Sequence, residues 1–134
     1  MTIDKPRPHP VPATQPYWDA LREERIRLQR CDDCGKWVHY PRARCSHCLS
    51  PQLSWHEVAG GGTLYSFSVA RQPTAAPFAD EVPQIIAVVE LDEGVRLSTT
   101  IVGADPAEVH VGQRVVPVFD HGPDGVTLLR YRLA

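Results

Sequence analysis

From residue 16 onward, apolar positions recur first at a helical period and then at a period of two, and that switch lays out the chain. Trp18, Leu21 and Arg25 fall on one face of a short segment that Thr14 or Gln15 can cap, with Pro16 in its first turn. A helix is predicted over roughly residues 16–24, with Asp19 near its start and arginines near its end, as the helix dipole favours. Ile26 and Leu28 then alternate with Arg25, Arg27 and Gln29, the signature of a half-buried strand. Trp37, Val38, His39 and Tyr40 form a second strand closed by Pro41, and Leu53, Trp55 and Glu57 mark a third. After Gly60-Gly61-Gly62 a second series begins, with strands over 63–69, 84–91, 95–102, 114–119 and 126–133. Asp92-Glu93-Gly94 reads as a hairpin turn, and Asp105-Pro106 as the cap and first residue of one short helical turn. Three strands, a short helix and two strands is the order of a five-stranded OB barrel. Tyr65 and Phe67, two apart on its first strand, read as core residues. The triple glycine reads as a hinge or bulge between two modules, since it lacks the spacing of a phosphate-binding GxGxxG.

The loudest chemistry lies in the first module. All four cysteines occur as Cys31-Asp-Asp-Cys34, ten residues, then Cys45-Ser-His-Cys48. Each CxxC presents two thiolates from one tight turn, and zinc takes four soft ligands in a tetrahedron. Gly35 supplies the positive φ that a knuckle needs after its second cysteine. Two disulfides would imply an exported chain, and a redox pair would not come as two matched copies. The pattern is that of a zinc ribbon, with Cys31, Cys34, Cys45 and Cys48 as ligands to a structural Zn2+. A four-thiolate site leaves no open position for water or substrate. His47 lies inside a CxxC, where its ring points away from the metal.

Composition narrows the class. The chain has 134 residues, 43% hydrophobic and 22% charged, enough for two small modules sharing one core. The expected division is a proline-rich flexible arm (1–15), a helix and zinc ribbon (16–58) and an OB barrel (59–134), mainly β overall. A ribbon of that size cannot pack a core unaided, which is the reason for the metal. Pro6, Pro8, Pro10 and Pro12 at alternate positions favour an extended arm. Neither a membrane span nor a secretory leader is expected, so a cytoplasmic setting is. The net charge of −2 is uneven, with nine Lys/Arg against seven Asp/Glu up to Val58 and five against nine beyond. An acidic barrel would repel a polyanion, which argues against nucleic acid. Arg22, Arg25, Arg27, Arg30, Lys36, Arg42 and Arg44 make a basic region around the ribbon, either a solvated face or a binding patch.

No nucleophile with a base and an orienting partner is legible. Asp120-His121 sits in a Gly/Pro turn, where both types are ordinary residues. One connection stands out. Residues 71–83 are long for a hairpin and hold Pro73, Pro77, Pro83 and a lone Phe78. Phe78 is either a contact for a protein partner or acyl chain, or a lid on the barrel end. Tyr17 and Trp18 either dock on the barrel or meet another subunit, and Trp37, Arg42 and Arg44 are further contact candidates.

The run Pro16-Tyr17-Trp18, Leu28-Gln-Arg-Cys31-Asp-Asp-Cys34-Gly35, Tyr40-Pro41, Cys45-Ser-His-Cys48, Gly60-Gly-Gly-Thr63-Leu-Tyr65-Ser-Phe67, Ala87-Val-Val-Glu90-Leu91-Asp-Glu-Gly94 and Gly112-Gln-Arg-Val115 resembles one family. It is similar to the acyl-CoA-associated domain-of-unknown-function family with a rubredoxin-like zinc ribbon and an OB fold. The resemblance implies an accessory subunit, since members accompany thiolase-superfamily enzymes and hydratases acting on acyl-CoA esters. In bacterial steroid side-chain breakdown a similar domain pairs with a thiolase-like protein to form a retro-aldolase. The four cysteines carry over as zinc ligands and no catalytic residue does. The expected function is therefore a non-catalytic partner of a thiolase-like enzyme that helps form its acyl-CoA site. The alternatives are a stand-alone acyl-CoA-binding module and a single-stranded nucleic-acid-binding OB protein.

Overall fold

The computed structural model describes residues 5–73 and 75–134. The expectations for residues 1–4 of the arm and for Thr74 in the long connection lie outside the described residues. Helix α1 spans Gln15–Arg22 with Pro16 in its first turn. It stops two residues short of the expected end, because Glu24 takes a φ of 60° and leaves the helical region. The Thr14 hydroxyl turns back to the Val11 carbonyl at 3.1 Å, and no side chain caps the helix.

The ribbon is a three-stranded antiparallel sheet in the order β2-β1-β3, from β1 (Ile26–Cys31), β2 (Trp37–Val38) and β3 (Leu53–Val58). β2 is half as long as the alternation suggests, since only Trp37 and Val38 pair with β1. Gln29 corrects the simple alternation of β1. It is buried rather than outward, because its side-chain amide satisfies the backbone of Arg42 in both directions, at 2.9 and 3.0 Å. A buried amide with both partners made costs little.

The second module is a closed barrel in the order β4-β5-β6-β8-β7. Its strands are β4 (Gly62–Ala70), β5 (Gln84–Leu91), β6 (Arg96–Ile101), β7 (Arg114–His121) and β8 (Thr127–Leu133). A 3-10 turn, Pro106–Glu108, leads from β6 toward β7, and the Asp105 carboxylate accepts from the Ala107 amide at 2.9 Å. This is the predicted OB-like order. Closure rests on the short parallel contact Ile101↔Tyr131 and the antiparallel pairs of Gly62 and Thr63 with Val115 and Arg114.

Tyr65 departs from the expectation of a core residue. The register shifts between Leu64 and Ser66, a bulge that rotates Leu64 fully inward and leaves Tyr65 half in solvent. Its ring instead lies under the Arg96 guanidinium, 3.7 Å from the ring centroid. Phe67 remains packed against the core.

One core serves both modules. Leu21 of α1 and Ile26, Leu28 and Val58 of the ribbon cluster with Leu64, Val89, Leu97, Val115 and Tyr131 of the barrel. Tyr17 and Trp18 pack against the same cluster, so the helix docks on the barrel. The triple glycine is the tight seam this requires. A Cβ on Gly62 would lie 2.4 Å from the Glu90 carbonyl oxygen, and Gly60 adopts a φ of 84°. From the far side of the barrel, the buried Tyr131 hydroxyl donates to the Gly60 carbonyl at 2.6 Å. Among the described residues no helix is long and apolar enough to cross a membrane.

Candidate functional site

The two knuckles bring the four cysteines together. Their sulfurs all lie within 4.8 Å of one another, and none is in a disulfide. Cys31 Sγ is 3.5 Å from Cys48 Sγ, and Cys34 Sγ is 3.7 Å from Cys45 Sγ. A zinc tetrahedron with bonds of about 2.3 Å has sulfur–sulfur edges of roughly 3.8 Å, so the donor set fits the metal. Gly35 has the expected positive φ, 75°, and its amide donates to the Cys31 carbonyl. Backbone amides supply the second layer: Cys34 N–H points at Cys31 Sγ and His47 N–H at Cys45 Sγ, at 3.4 and 3.3 Å. The Cys34 amide, with Asp33 and the neighbouring sulfurs, holds the Cys31 thiol below its ordinary value. The metal, when bound, supplies a structural cross-link between the knuckles. His47 is outside the cluster, contributing its amide and not its ring.

The cysteines are placed asymmetrically. Cys31 and Cys45 are buried with Val38 beside Leu53, whereas Cys34 and Cys48 face solvent. Side chains around the knuckles brace the turns. Ser54 Oγ donates to the Asp32 carboxylate at 2.8 Å, Ser50 Oγ donates to Asp33, and Arg44 Nη1 donates to the Leu49 carbonyl at 3.1 Å.

Beside the metal centre runs a groove of about 750 Å3 between the ribbon and the β5–β6 hairpin. Arg30, Lys36, Trp37 and His39 form its ribbon wall, and Glu90, Glu93 and Arg96 its barrel wall. Arg30 lies 5.3 Å over the Trp37 ring, while Arg96 donates to Glu90 at 2.8 Å. Of the three buried side-chain polar atoms that lack a hydrogen-bond partner among the described residues, two, His39 Nδ1 and Glu93 Oε1, belong to side chains of this groove. A smaller cleft of about 270 Å3 lies between Tyr17, Trp18 and Tyr40 on one side and Thr99, Leu128 and Leu129 on the other.

The contact candidates are therefore scattered. Tyr17 and Trp18 border the small cleft, Trp37 the larger groove, and Arg42 and Arg44 lie exposed between β2 and the second knuckle. Phe78 lies elsewhere, half-buried in a 3-10 turn, Ala76–Glu81, within the connection from β4 to β5. The groove's barrel wall was hidden in the sequence, because Glu90 to Arg96 reads only as an ordinary hairpin. Nothing in that run points to the ribbon as its neighbour.

His39 was also missed as a buried group. Its ring packs against Tyr17 and Tyr40, 5.6 and 4.2 Å between centroids. Burial, reinforced by Arg42, pushes its pKa down to about 4. An unfolded chain protonates this ring near pH 6.5, so folding stability is fully present above that value and falls as the pH drops toward 4. Between pH 7.5 and 5.5 the expected loss is about 1 kcal/mol. Urea titrations of wild type and His39→Phe at both pH values read it as a difference, and an equal loss of stability with pH in the two proteins would refute it.

Residues 18–54 match the rubredoxin-like zinc ribbon domain of ChsH2, and residues 55–120 match its C-terminal OB-fold domain. A probable enoyl-CoA hydratase alpha subunit of Thermomonospora curvata is 38% identical over 97% of this chain, which spans only 40% of that relative's length. A DUF35 domain-containing scaffold protein of Methanothermobacter thermautotrophicus is 35% identical over 72% of this chain and 76% of its own. Among solved structures, a chain of the Ltp2-ChsH2(DUF35) aldolase superposes with a TM-score of 0.82 at 35% identity, covering 95% of this chain and 98% of that one. With the ribbon, the barrel and the seam between them all matched in this way, the chain belongs to the DUF35 family, in the form of the ChsH2 zinc ribbon and OB fold.

Proposed function

We propose that this chain is a non-catalytic accessory subunit of a thiolase-superfamily acyl-CoA enzyme, a thiolase or a retro-aldolase of steroid or lipid side-chain breakdown. It stabilises that enzyme and helps form its acyl-CoA site. The observation that carries the reading is the full-length likeness, at a TM-score of 0.82, to the DUF35 chain of an aldolase that also contains Ltp2. The site chemistry supports it. Every thiol is committed to the knuckles. Asp120 accepts from Arg130 at 2.7 Å, and His121 lies between Glu24 and Thr127 at 3.1 and 2.8 Å, so each tempting acid or base already has structural partners. Reduced thiolates suit a cytoplasmic setting.

Co-expression with a thiolase-like protein from the same organism tests the proposal. A stable complex on a sizing column is expected, and separate elution of two folded proteins would sink it. A second reading rests on the groove itself. Arg30, Lys36 and Arg96 around Trp37 could hold the phosphates and base of an acyl-CoA on the isolated chain. Calorimetry of this chain alone with CoA esters separates the two, because heat without the partner favours the stand-alone module.

A further inference from the structure

The zinc-ribbon domain match begins at residue 18, and the segment before α1 makes some of the most specific long-range contacts in the molecule. Lys5 Nζ reaches Glu81 Oε1 at 2.8 Å, across 76 residues, and lies 5.9 Å from the Phe78 ring centroid. Arg7 grips the β7–β8 hairpin. Its Nε and Nη2 donate to the two Asp124 carboxylate oxygens at 3.1 and 3.2 Å, and Nη2 also donates to the Val126 carbonyl at 2.8 Å. The Arg7 guanidinium lies directly on Gly122, where a Cβ would come within 1.8 Å of Nη2. Two residues of arm thus join two loops that the barrel itself leaves apart: the β4–β5 connection and the β7–β8 hairpin.

Beside them lies a cavity of about 510 Å3 at the start of β5 and the ends of β6 and β7, with Glu81, Pro83 and Gln84 on one wall and Val118, Phe119 and Asp120 on another. Glu81 is shared between arm and cavity. One of its oxygens is held by Lys5, and the other is buried without a donor.

We infer that residues 5–13 form an intramolecular strap that fixes the Ala76–Glu81 turn against the β7–β8 hairpin and so sets the wall of this cavity. Sequence and charge both serve such a device. Prolines at positions 6, 8, 10 and 12 keep the segment extended, so little chain entropy is lost when two side chains pin it. Flanking Pro6 are the cations Lys5 and Arg7, which land on the acidic half of the chain. The Arg7 hydrogen bonds pull the Asp124 carboxyl below the usual range, as an engaged ion pair does. Contacts of this kind are screened by salt, so the strap loosens at high ionic strength.

Hydrogen exchange on the zinc-loaded full chain tests the strap. The Phe78 amide, which donates to the Ala75 carbonyl at 3.0 Å, reports the turn. The double variant Lys5→Ala/Arg7→Ala removes both anchors, and Gly122→Ala evicts the Arg7 guanidinium by its methyl group. In each, exchange over residues 76–82 is expected to rise about tenfold at low salt, with exchange in β1 and β3 unchanged. Wild type in high salt should reproduce that rise, and salt should add nothing further to the double variant. Gly122→Ala also touches the hairpin, so the double variant decides. If its exchange over residues 76–82 stays within about threefold of wild type, the arm is not a strap.

Discussion

Replacing Cys48 with serine is expected to release the metal and dissolve the three-stranded ribbon. Cys48 faces solvent, so serine meets no clash and the loss is that of a ligand. Without zinc, the apolar cluster around the knuckles is only Cys31, Val38 and Cys45 beside Leu53, far too little to hold them. Zinc binding to such sites is worth roughly 10–16 kcal/mol, which exceeds the stability of most domains and makes metal loss equivalent to unfolding there. The expected measurement is stoichiometric zinc in wild type falling to background in the variant, with loss of amide protection in β2 and at the Cys45 turn. Chelation of the wild-type protein should give the same picture. A variant that keeps both its zinc and its protected ribbon would overturn the four-thiolate assignment.

Leu28→Ala is expected to give the largest loss that leaves the metal in place. Leu28 sits on the central ribbon strand but is buried, with no exposed surface, in the cluster that contains Leu64, Val89 and Tyr131. Truncation removes three carbons from the point where helix, ribbon and barrel meet, and surrounding strands cannot close the hole. The expected cost is roughly 3–5 kcal/mol. Urea unfolding should show a lower midpoint with an unchanged slope and a single transition, while zinc content stays stoichiometric. Two separate transitions, or a loss below about 1 kcal/mol, would mean that ribbon and barrel do not share a core.

Particular residues show what sequence made legible. The barrel order could be read because glycine or proline turns separate its strands, and because β6 alternates cleanly at Leu97, Thr99 and Ile101. The metal site could be read because thiolate chemistry demands that spacing. Tyr65 could not, since a bulge changes the face of a strand without changing its composition. Nor could Gln29, whose burial depends on an amide partner thirteen residues away. The groove beside the ribbon and the anchors of Lys5 and Arg7 were beyond reach for one shared reason. Each joins segments far apart in the chain, 117 residues in the case of Arg7 and Asp124, and local periodicity carries no information about such pairs.

The hydrogen bond from Tyr131 to the Gly60 carbonyl has a consequence for biosynthesis. On the ribosome, all four cysteines emerge some eighty residues before Tyr131 does, long enough for a nascent ribbon to capture its ion first. Its angle to the rest of the molecule is fixed only when β8 arrives and the phenol reaches back to the seam. Chain order thus allows metallation to precede orientation, and a surface that spans both halves is complete only with the final strand.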